Sequence, residues 1–237
     1  KIAIQAMNHG KEITYHSCCG SRVPVAASSS KILDDLTKKL IGQIWNKKET
    51  IGTEGQLIVA EALELVGGLK KGFGVTVGYN TPDTLAYQMM EYNLFEFSAS
   101  KTEARLAAMT DLLMNEEQNG IRSEDEFKKL ANDRVANLNQ NYLTTEYNLS
   151  IAVGQNSAAY NRFLSEKDTV TSYVQYQSAG DSKVRDEHRK LDGKIFNLSD
   201  KEAMKLWPPN GHGCRCEMTQ YNRTPKEGDV MSGKTAQ

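Results

Sequence analysis

The chain has 237 residues, 39% of them hydrophobic and 25% charged, which is typical of a globular protein with one large domain or two modest ones. This composition excludes collagenous and disordered chains, and no apolar run approaches the ~18 residues that a membrane span needs. The formal net charge is -1, from 29 basic and 30 acidic residues. Because binding along a DNA backbone relies on clustered basic side chains, we expect no dominant nucleic-acid binding.

The N-terminal part of the chain changes from an irregular pattern to a helical one. Residues 1–27 show no sustained hydrophobic period and are interpreted as an irregular arm, without the pattern of a secretory signal. Serines at 28–30 then offer capping hydroxyls before apolar residues at helical spacing, which predicts a helix over 31–46. A second helix is predicted over 54–70, and the glycine-rich stretch 72–78 predicts a loop or short strand after it.

The next segments carry helix-start signals. Thr81-Pro82-Asp83 combines a capping hydroxyl, a first-position proline and an acid, and it predicts a helix. A further helix is predicted after Ser100. Asn119-Gly120 predicts a turn.

A long helix is predicted to follow that turn. Ser123 and Glu126 have the spacing of a capping box, which opens a helix that continues to about Phe163 with a candidate break near Gly154.

After Asp168 the pattern becomes that of short strands. In TVTSYVQYQS, Val170, Val174 and Tyr176 alternate with polar residues, and further strands are predicted over 194–196 and 214–221. The fold class predicted is α+β, with a mainly helical N-terminal region followed by a small module of short antiparallel strands. The expected regions are an arm, a helical region, the module and a polar tail that we expect to fray: 1–27, 28–165, 166–222 and 223–237.

The four cysteines form two close pairs, Cys18-Cys19 and Cys214-x-Cys216. Pairs this close fit disulfide geometry poorly, and a secreted disulfide framework spaces its cysteines more widely. We therefore expect a reducing environment, with thiols that are either free or bound to metal.

Cys214 and Cys216 are candidate metal ligands. On an extended strand, residues two apart point to the same face, so two thiols would lie side by side and provide half of a tetrahedral zinc site. His188 and His212 are candidate partners, and Asp192 is a weaker one. The alternative is that both cysteines are small buried side chains and that His188 bonds to backbone.

Catalytic readings are less well supported by the pattern. Paired cysteines disfavour a Cys/His hydrolase, which needs a lone activated thiol. A metal-dependent nuclease that uses His188, Asp192 and His212 remains the alternative to a non-enzymatic protein.

The segments VRDEHRKLDGKIF and WPPNGHGCRC resemble the signature of the phage Mu F-like head-morphogenesis family. The resemblance is strongest over 181–218, and it extends less specifically to TDLLMNEEQNGIRSEDEFKKLA and LTTEYNLSIAVGQN upstream. The matching positions are Asp181, Arg185, His188, Leu191, Asp192, Gly193, Cys214, Arg215 and Cys216.

The resemblance implies a minor head protein without turnover that acts in head morphogenesis. The implied partners are portal and capsid or scaffold proteins, with weak contact with packaged DNA and no membrane span. The implied location is the virion, inside the capsid or at the portal vertex, and the host cytoplasm during assembly.

The resemblance also bears on the metal. Many relatives have a C-x2-C pair where this chain has Arg185 and His188, which implies a four-ligand zinc site in those proteins. Arg185 cannot bind a metal because its guanidinium stays protonated. The ligands expected here are therefore His188, Cys214 and Cys216, with His212 as a candidate fourth.

Overall fold

The computed structural model describes residues 27–74, 82–115, 120–211, 214–226 and 228–236. Long helices make up most of the chain before residue 166, and short elements follow. The long helices are α1 Ala27–Trp45, α2 Ile51–Phe73, α3 Pro82–Asp111 and α4 Glu124–Ser165. The short elements are β1 Met114–Asn115, β2 Gly120–Ile121, β3 Tyr173–Gln177, α5 Asp186–Leu191, β4 Ile195–Asn197, a 3-10 helix Ala203–Leu206, β5 Glu217–Gln220 and α6 Gly233–Ala236. The predicted α+β class is confirmed.

The sheets are small and antiparallel. Strands β1 and β2 form a hairpin, and β3 is the central strand of a three-stranded sheet between β4 and β5. Val174 pairs with Phe196 on one side and with Gln220 on the other. Along β3, Val174 and Tyr176 point into the core, as the alternating pattern predicts, whereas Val170 precedes the strand and is exposed.

Several helix predictions are confirmed and others need correction. Helix α4 begins after Ser123, whose hydroxyl accepts a hydrogen bond from the Glu126 backbone N–H at 3.4 Å. Helix α3 runs without interruption through Ser100, so no separate helix starts there. Helix α4 also continues past Gly154, so the expected break is wrong. The interpretations of residues 1–26 and 75–80 lie outside the described residues.

Gly154 has a packing role that explains why it sits inside a helix. A Cβ atom on Gly154 would lie 2.6 Å from the Leu69 carbonyl oxygen, and one on Gly72 would lie 2.1 Å from the Ile151 carbonyl oxygen. Helices α2 and α4 therefore cross backbone to backbone, at a separation that only glycine permits. The packing outweighs the cost of glycine in a helix.

The described chain forms two compact units, and the three longest helices contribute to both. One unit contains residues 27–67 and 91–147, and the other contains 68–90 and 148–236. The first, called the helical unit, has an apolar core that includes Leu40, Ile41, Leu57, Leu65, Leu94, Met109 and Phe127. The second, called the mixed unit, has a core that includes Leu69, Tyr176, Phe196, Trp207 and Met218.

A cluster of charged side chains is buried in the helical unit. Glu61 of α2 is completely buried, and Arg105 of α3 donates to it twice, at 2.7 and 3.1 Å. Lys101 of α3 bridges Glu61 and Glu146 of α4. Four charges of balanced sign thus tie three helices together within an otherwise apolar core.

The two carboxylates of this cluster differ in their electrostatic environment. Burial raises the pKa of Glu61, but Lys101 and Arg105 together lower it further, so that the pKa lies below its usual value. Burial raises the pKa of Glu146, and Lys101 offsets this only in part. The charged form of Glu61 is therefore stabilised by the fold, whereas that of Glu146 is not.

The mixed unit is organised around Trp207. Its side chain is 2% exposed, and its indole N–H donates to the Asn156 carbonyl oxygen at 3.1 Å. Tyr160 and Phe163 of α4 contact the same indole edge to face, with ring centroids 4.9 and 5.9 Å away. The segment after the 3-10 helix is therefore held against the end of α4.

Where it is described, the chain after 222 is hydrogen-bonded to earlier parts of the mixed unit. Met231 donates its backbone N–H to the Ile195 carbonyl oxygen, and Gly233 donates to the Asp200 carboxylate at 2.9 Å. A Cβ atom on Gly233 would lie 1.9 Å from the Ala203 nitrogen, so this contact also requires glycine.

Within the described ranges, no helix combines the length and apolar character needed to cross a bilayer.

The unequal carboxylates lead to a first prediction. Glu61→Gln leaves Arg105 and Lys101 short of negative charge in a buried site, and we expect it to lower the free energy of unfolding by about 3 kcal/mol. Glu146→Gln keeps an acceptor for Lys101 while removing a poorly solvated charge, so we expect a loss below about 1 kcal/mol. Urea unfolding at neutral pH measures both, and equal losses would contradict this assignment.

The helix crossing leads to a second prediction. Gly154→Ala places a methyl group against the α2 backbone, and we expect it to destabilise the protein by about 1–3 kcal/mol. Gly67→Ala is the matched control, because Gly67 is an exposed helical glycine whose added Cβ would meet no atom within 4 Å. The control should gain about 0.5–1 kcal/mol. Thermal unfolding of both variants compares them, and a neutral Gly154→Ala would refute the close crossing.

Candidate metal-binding cluster

The turn after α5 is fixed to the central strand β3 by each residue of its Leu-Asp-Gly sequence. Leu191 is buried in the core. Asp192 accepts a hydrogen bond from the Ser178 backbone N–H at 2.7 Å. Gly193 has a φ of 73°, which favours glycine, and its N–H donates to the Tyr176 carbonyl oxygen at 2.8 Å. These bonds hold α5 beside β3 and place His188 on the core side of the helix.

Two arginines of the motif fasten the loops around β3. Arg215 forms a bidentate ion pair with Asp181, and its side chain is 5% exposed. Arg185 donates to the Asn210 carbonyl oxygen at 3.1 Å, and its guanidinium lies against Gly211. The loops before α5 and before β5 are thus joined by cations that bond to a carboxylate and to backbone oxygen.

His188, Cys214 and Cys216 meet in the interior of the mixed unit. Their exposures are 5%, 2% and 4%, and their potential ligand atoms all lie within 4.8 Å of one another. The Cys216 sulfur is 3.5 Å from His188 Nδ1, and both cysteines are free thiols. The structure therefore brings together three of the predicted metal ligands from two distant parts of the sequence.

The two thiols are electrostatically unequal. A hydrogen bond from the Cys216 thiol lowers the pKa of Cys214 to about 7, against the effect of burial and with help from the Asn210 and Cys216 backbone N–H groups and from Arg185. The same hydrogen bond to Cys214, together with burial, raises the pKa of Cys216. The site thus favours a thiolate at Cys214 over one at Cys216.

The donor set fits a transition metal such as zinc. Zinc bonds of ~2.3 Å to sulfur and ~2.0 Å to nitrogen place tetrahedral ligands about 3.5–3.8 Å apart. The 3.5 Å between the Cys216 sulfur and His188 Nδ1 is close to that separation. Any pair of ligand atoms as far apart as the 4.8 Å upper limit would need a side chain to move inward. Two sulfurs and an imidazole nitrogen in a buried site are ligands that zinc prefers.

The remaining predicted site residues are placed elsewhere or lie outside the described chain. Asp192 bonds to Ser178 and is exposed, so it serves the turn. Cys214 and Cys216 precede β5, which begins at Glu217, so the expected strand over 214–221 is shorter. Their thiols converge through the loop before β5. His212 and the pair Cys18-Cys19 lie outside the described residues.

Tyr176 is a neighbour of this cluster that the sequence analysis treated only as a core residue. It is fully buried on β3, and its hydroxyl makes no hydrogen bond to any described residue. Burial raises the pKa of Tyr176, and the nearby sulfurs of Cys214 and Cys216 raise it further. The sequence signal was a tyrosine at an inward position of a central strand, because a buried hydroxyl there needs a partner.

The chain matches known proteins over this part of the structure. Residues 107–219 match the family described as phage Mu protein F like protein. The putative capsid assembly protein F of Escherichia phage Mu is 30% identical over 76 residues, which are 32% of this chain and 17% of that protein. The Mu-like prophage FluMu F protein of Haemophilus influenzae is 39% identical over 46 residues, 19% of this chain and 11% of that protein.

An uncharacterized protein of Methanocaldococcus jannaschii is 33% identical over 116 residues, 46% of this chain and 16% of that protein. The matches thus span less than a fifth of the length of each of these relatives. No solved structure matches the chain. The family match contains β3, α5, the Leu-Asp-Gly turn and both buried cysteines, so the part of this chain that carries the cluster is similar to the phage Mu protein F-like family.

Proposed function

We propose that this chain is a minor head protein of a phage or prophage, with a structural and interaction role in head assembly and no turnover. The observation that carries the proposal is the family match over residues 107–219. Further support comes from a relative that is named as a putative capsid assembly protein. The proposed partners are portal and capsid or scaffold subunits, and the proposed place is the capsid interior or the portal vertex after assembly in the host cytoplasm. The proposed contact with packaged DNA is weak because the net charge is near zero.

The geometry of the cluster favours a structural role over a metal-dependent nuclease. A nuclease needs a metal that is open to a scissile phosphate and a base that reaches water. Here the three ligands are almost completely buried, and Asp192 is held by the Ser178 backbone. The motif residues Asp181, Arg185 and Arg215 are likewise used to join loops. These contacts hold segments of the mixed unit together.

The head-assembly proposal makes a direct prediction. When the chain is produced together with the other head proteins of its phage, we expect it in purified procapsids or virions and bound to the portal subunit. The measurement is immunodetection in particles separated on a density gradient, with pull-down of the portal as a second readout. Omitting the portal subunit is the matched control for portal binding. A chain that is missing from both particles and that does not bind portal would disprove the proposal.

We also propose that His188, Cys214 and Cys216 bind one zinc ion, with His212 as the fourth ligand. The support is the buried cluster of three suitable donors and the thiolate favoured at Cys214. The strands of the mixed unit are short. A metal bound by His188 of α5 and by the two cysteines of the loop before β5 would link these segments. The role proposed for the ion is to stabilise this fold.

The zinc proposal is tested by elemental analysis. Protein purified without chelators should contain about one zinc per chain, and the double variant Cys214→Ser/Cys216→Ser should contain less than about a tenth of an equivalent. The double variant Cys18→Ser/Cys19→Ser makes the same chemical change at the other cysteine pair and should keep its zinc. Wild-type protein below about a tenth of an equivalent would exclude the proposed site.

A further inference from the structure

We propose that Tyr176 is a positioning residue of the metal site, whose hydroxyl donates a hydrogen bond to the sulfur of Cys216 when a metal ion is bound. The inference rests on the proposed zinc site. It assigns a role to a residue that is not itself a proposed ligand.

The backbone of Tyr176 is paired with chain segments along both edges of β3. It lies on the central strand β3, opposite Met218 of β5, and its backbone N–H donates to the Lys194 carbonyl oxygen at 2.9 Å. Its carbonyl oxygen accepts from Gly193, at the end of the turn that carries α5 and His188. The ring is therefore anchored to the segments that supply all three ligands, and its hydroxyl ends beside the two sulfurs.

The hydroxyl makes no hydrogen bond of ordinary geometry to any described residue. Asn210, the other polar side chain beside it, donates its amide to the Leu206 carbonyl oxygen. A neutral thiol is a weak acceptor. A buried hydroxyl without a partner destabilises the folded state.

Metal binding supplies the missing acceptor. Each cysteine loses its thiol proton to solvent when it binds the ion, and the resulting thiolate is a much stronger acceptor than a thiol. The Cys214 sulfur already interacts with backbone N–H groups and with Arg185. The Cys216 sulfur has His188 and Tyr176 beside it. Because His188 would use its lone pair on the metal, Tyr176 is the donor left to orient and stabilise the Cys216 thiolate.

Direct ligation by Tyr176 is the competing role for the hydroxyl. Zinc sites in proteins use thiolate, imidazole and carboxylate ligands, and the cluster already supplies the first two. A neutral phenol is an O–H donor. Hydrogen bonds of this outer kind typically change metal affinity by about 10–100-fold.

The test compares Tyr176→Phe with Tyr173→Phe in the full chain. Tyr173 lies on the same strand but on the opposite face, so it controls for loss of a phenol hydroxyl. We measure zinc affinity by competition with a chromophoric chelator, the absorption of the cobalt-substituted protein, and the unfolding temperature of metal-free protein.

We expect Tyr176→Phe to bind zinc at least about tenfold more weakly. Its cobalt–thiolate charge-transfer band should move to lower energy, because the thiolate loses a hydrogen bond. Its metal-free form should unfold at the same or a higher temperature, because the unpaired hydroxyl is gone. Tyr173→Phe should leave the zinc affinity and the band unchanged. Weaker binding together with a more stable metal-free form is not expected from a residue that only fills the core.

Affinity within twofold of wild type together with an unchanged cobalt band would overturn the role of Tyr176 and leave the zinc proposal intact. A phenolate charge-transfer band that is present in the cobalt or iron form of the wild type and absent from Tyr176→Phe would also overturn it, because Tyr176 would then be a ligand. A wild-type chain that binds neither zinc nor cobalt would reject the zinc proposal and this inference together.

Discussion

The mixed unit depends on the convergence of α5 and the loop before β5 on the inward face of the central strand β3. On that face β3 contributes Val174 and Tyr176, and the strands paired with it add Phe196 and Met218. Polar contacts with defined geometry also hold the two segments: the Asp181–Arg215 ion pair, the Arg185 bond to the Asn210 carbonyl and the His188–Cys216 contact. Each of them acts between segments that are far apart in sequence, which is what a small sheet with short strands requires.

The helical unit addresses a similar problem by a different route. Its core is largely apolar, yet Glu61, Lys101, Arg105 and Glu146 are buried together within it. Ion pairs of this kind add little net stability, but they permit few arrangements of the helices that carry them. The glycine contact between α2 and α4 in the mixed unit restricts its helices as well, because it requires Gly72 and Gly154 to lie opposite the other backbone.

Local patterns predicted the elements well, and long-range contacts explain where they did not. The helical periods, the Ser123 cap and the alternation of Val174 and Tyr176 are local properties, and the structure confirms them. The break expected near Gly154 is wrong because the close backbone contact that requires glycine there is made with α2, which is distant in sequence. The spacing of Cys214 and Cys216 was informative even though they precede the strand. The unpaired hydroxyl of Tyr176 and the buried Glu61 pairings depend on tertiary neighbours, so sequence alone could not reveal them.

The two tryptophans of the chain fall in different compact units, which has a practical consequence. Trp45 stacks on Phe127 in the helical unit, with ring centroids 5.6 Å apart, whereas Trp207 is enclosed by Tyr160 and Phe163 in the mixed unit. Each unit therefore contains its own intrinsic fluorophore. Replacing either tryptophan with phenylalanine leaves a single tryptophan, so that the unfolding of each unit can be followed by tryptophan emission without any added label.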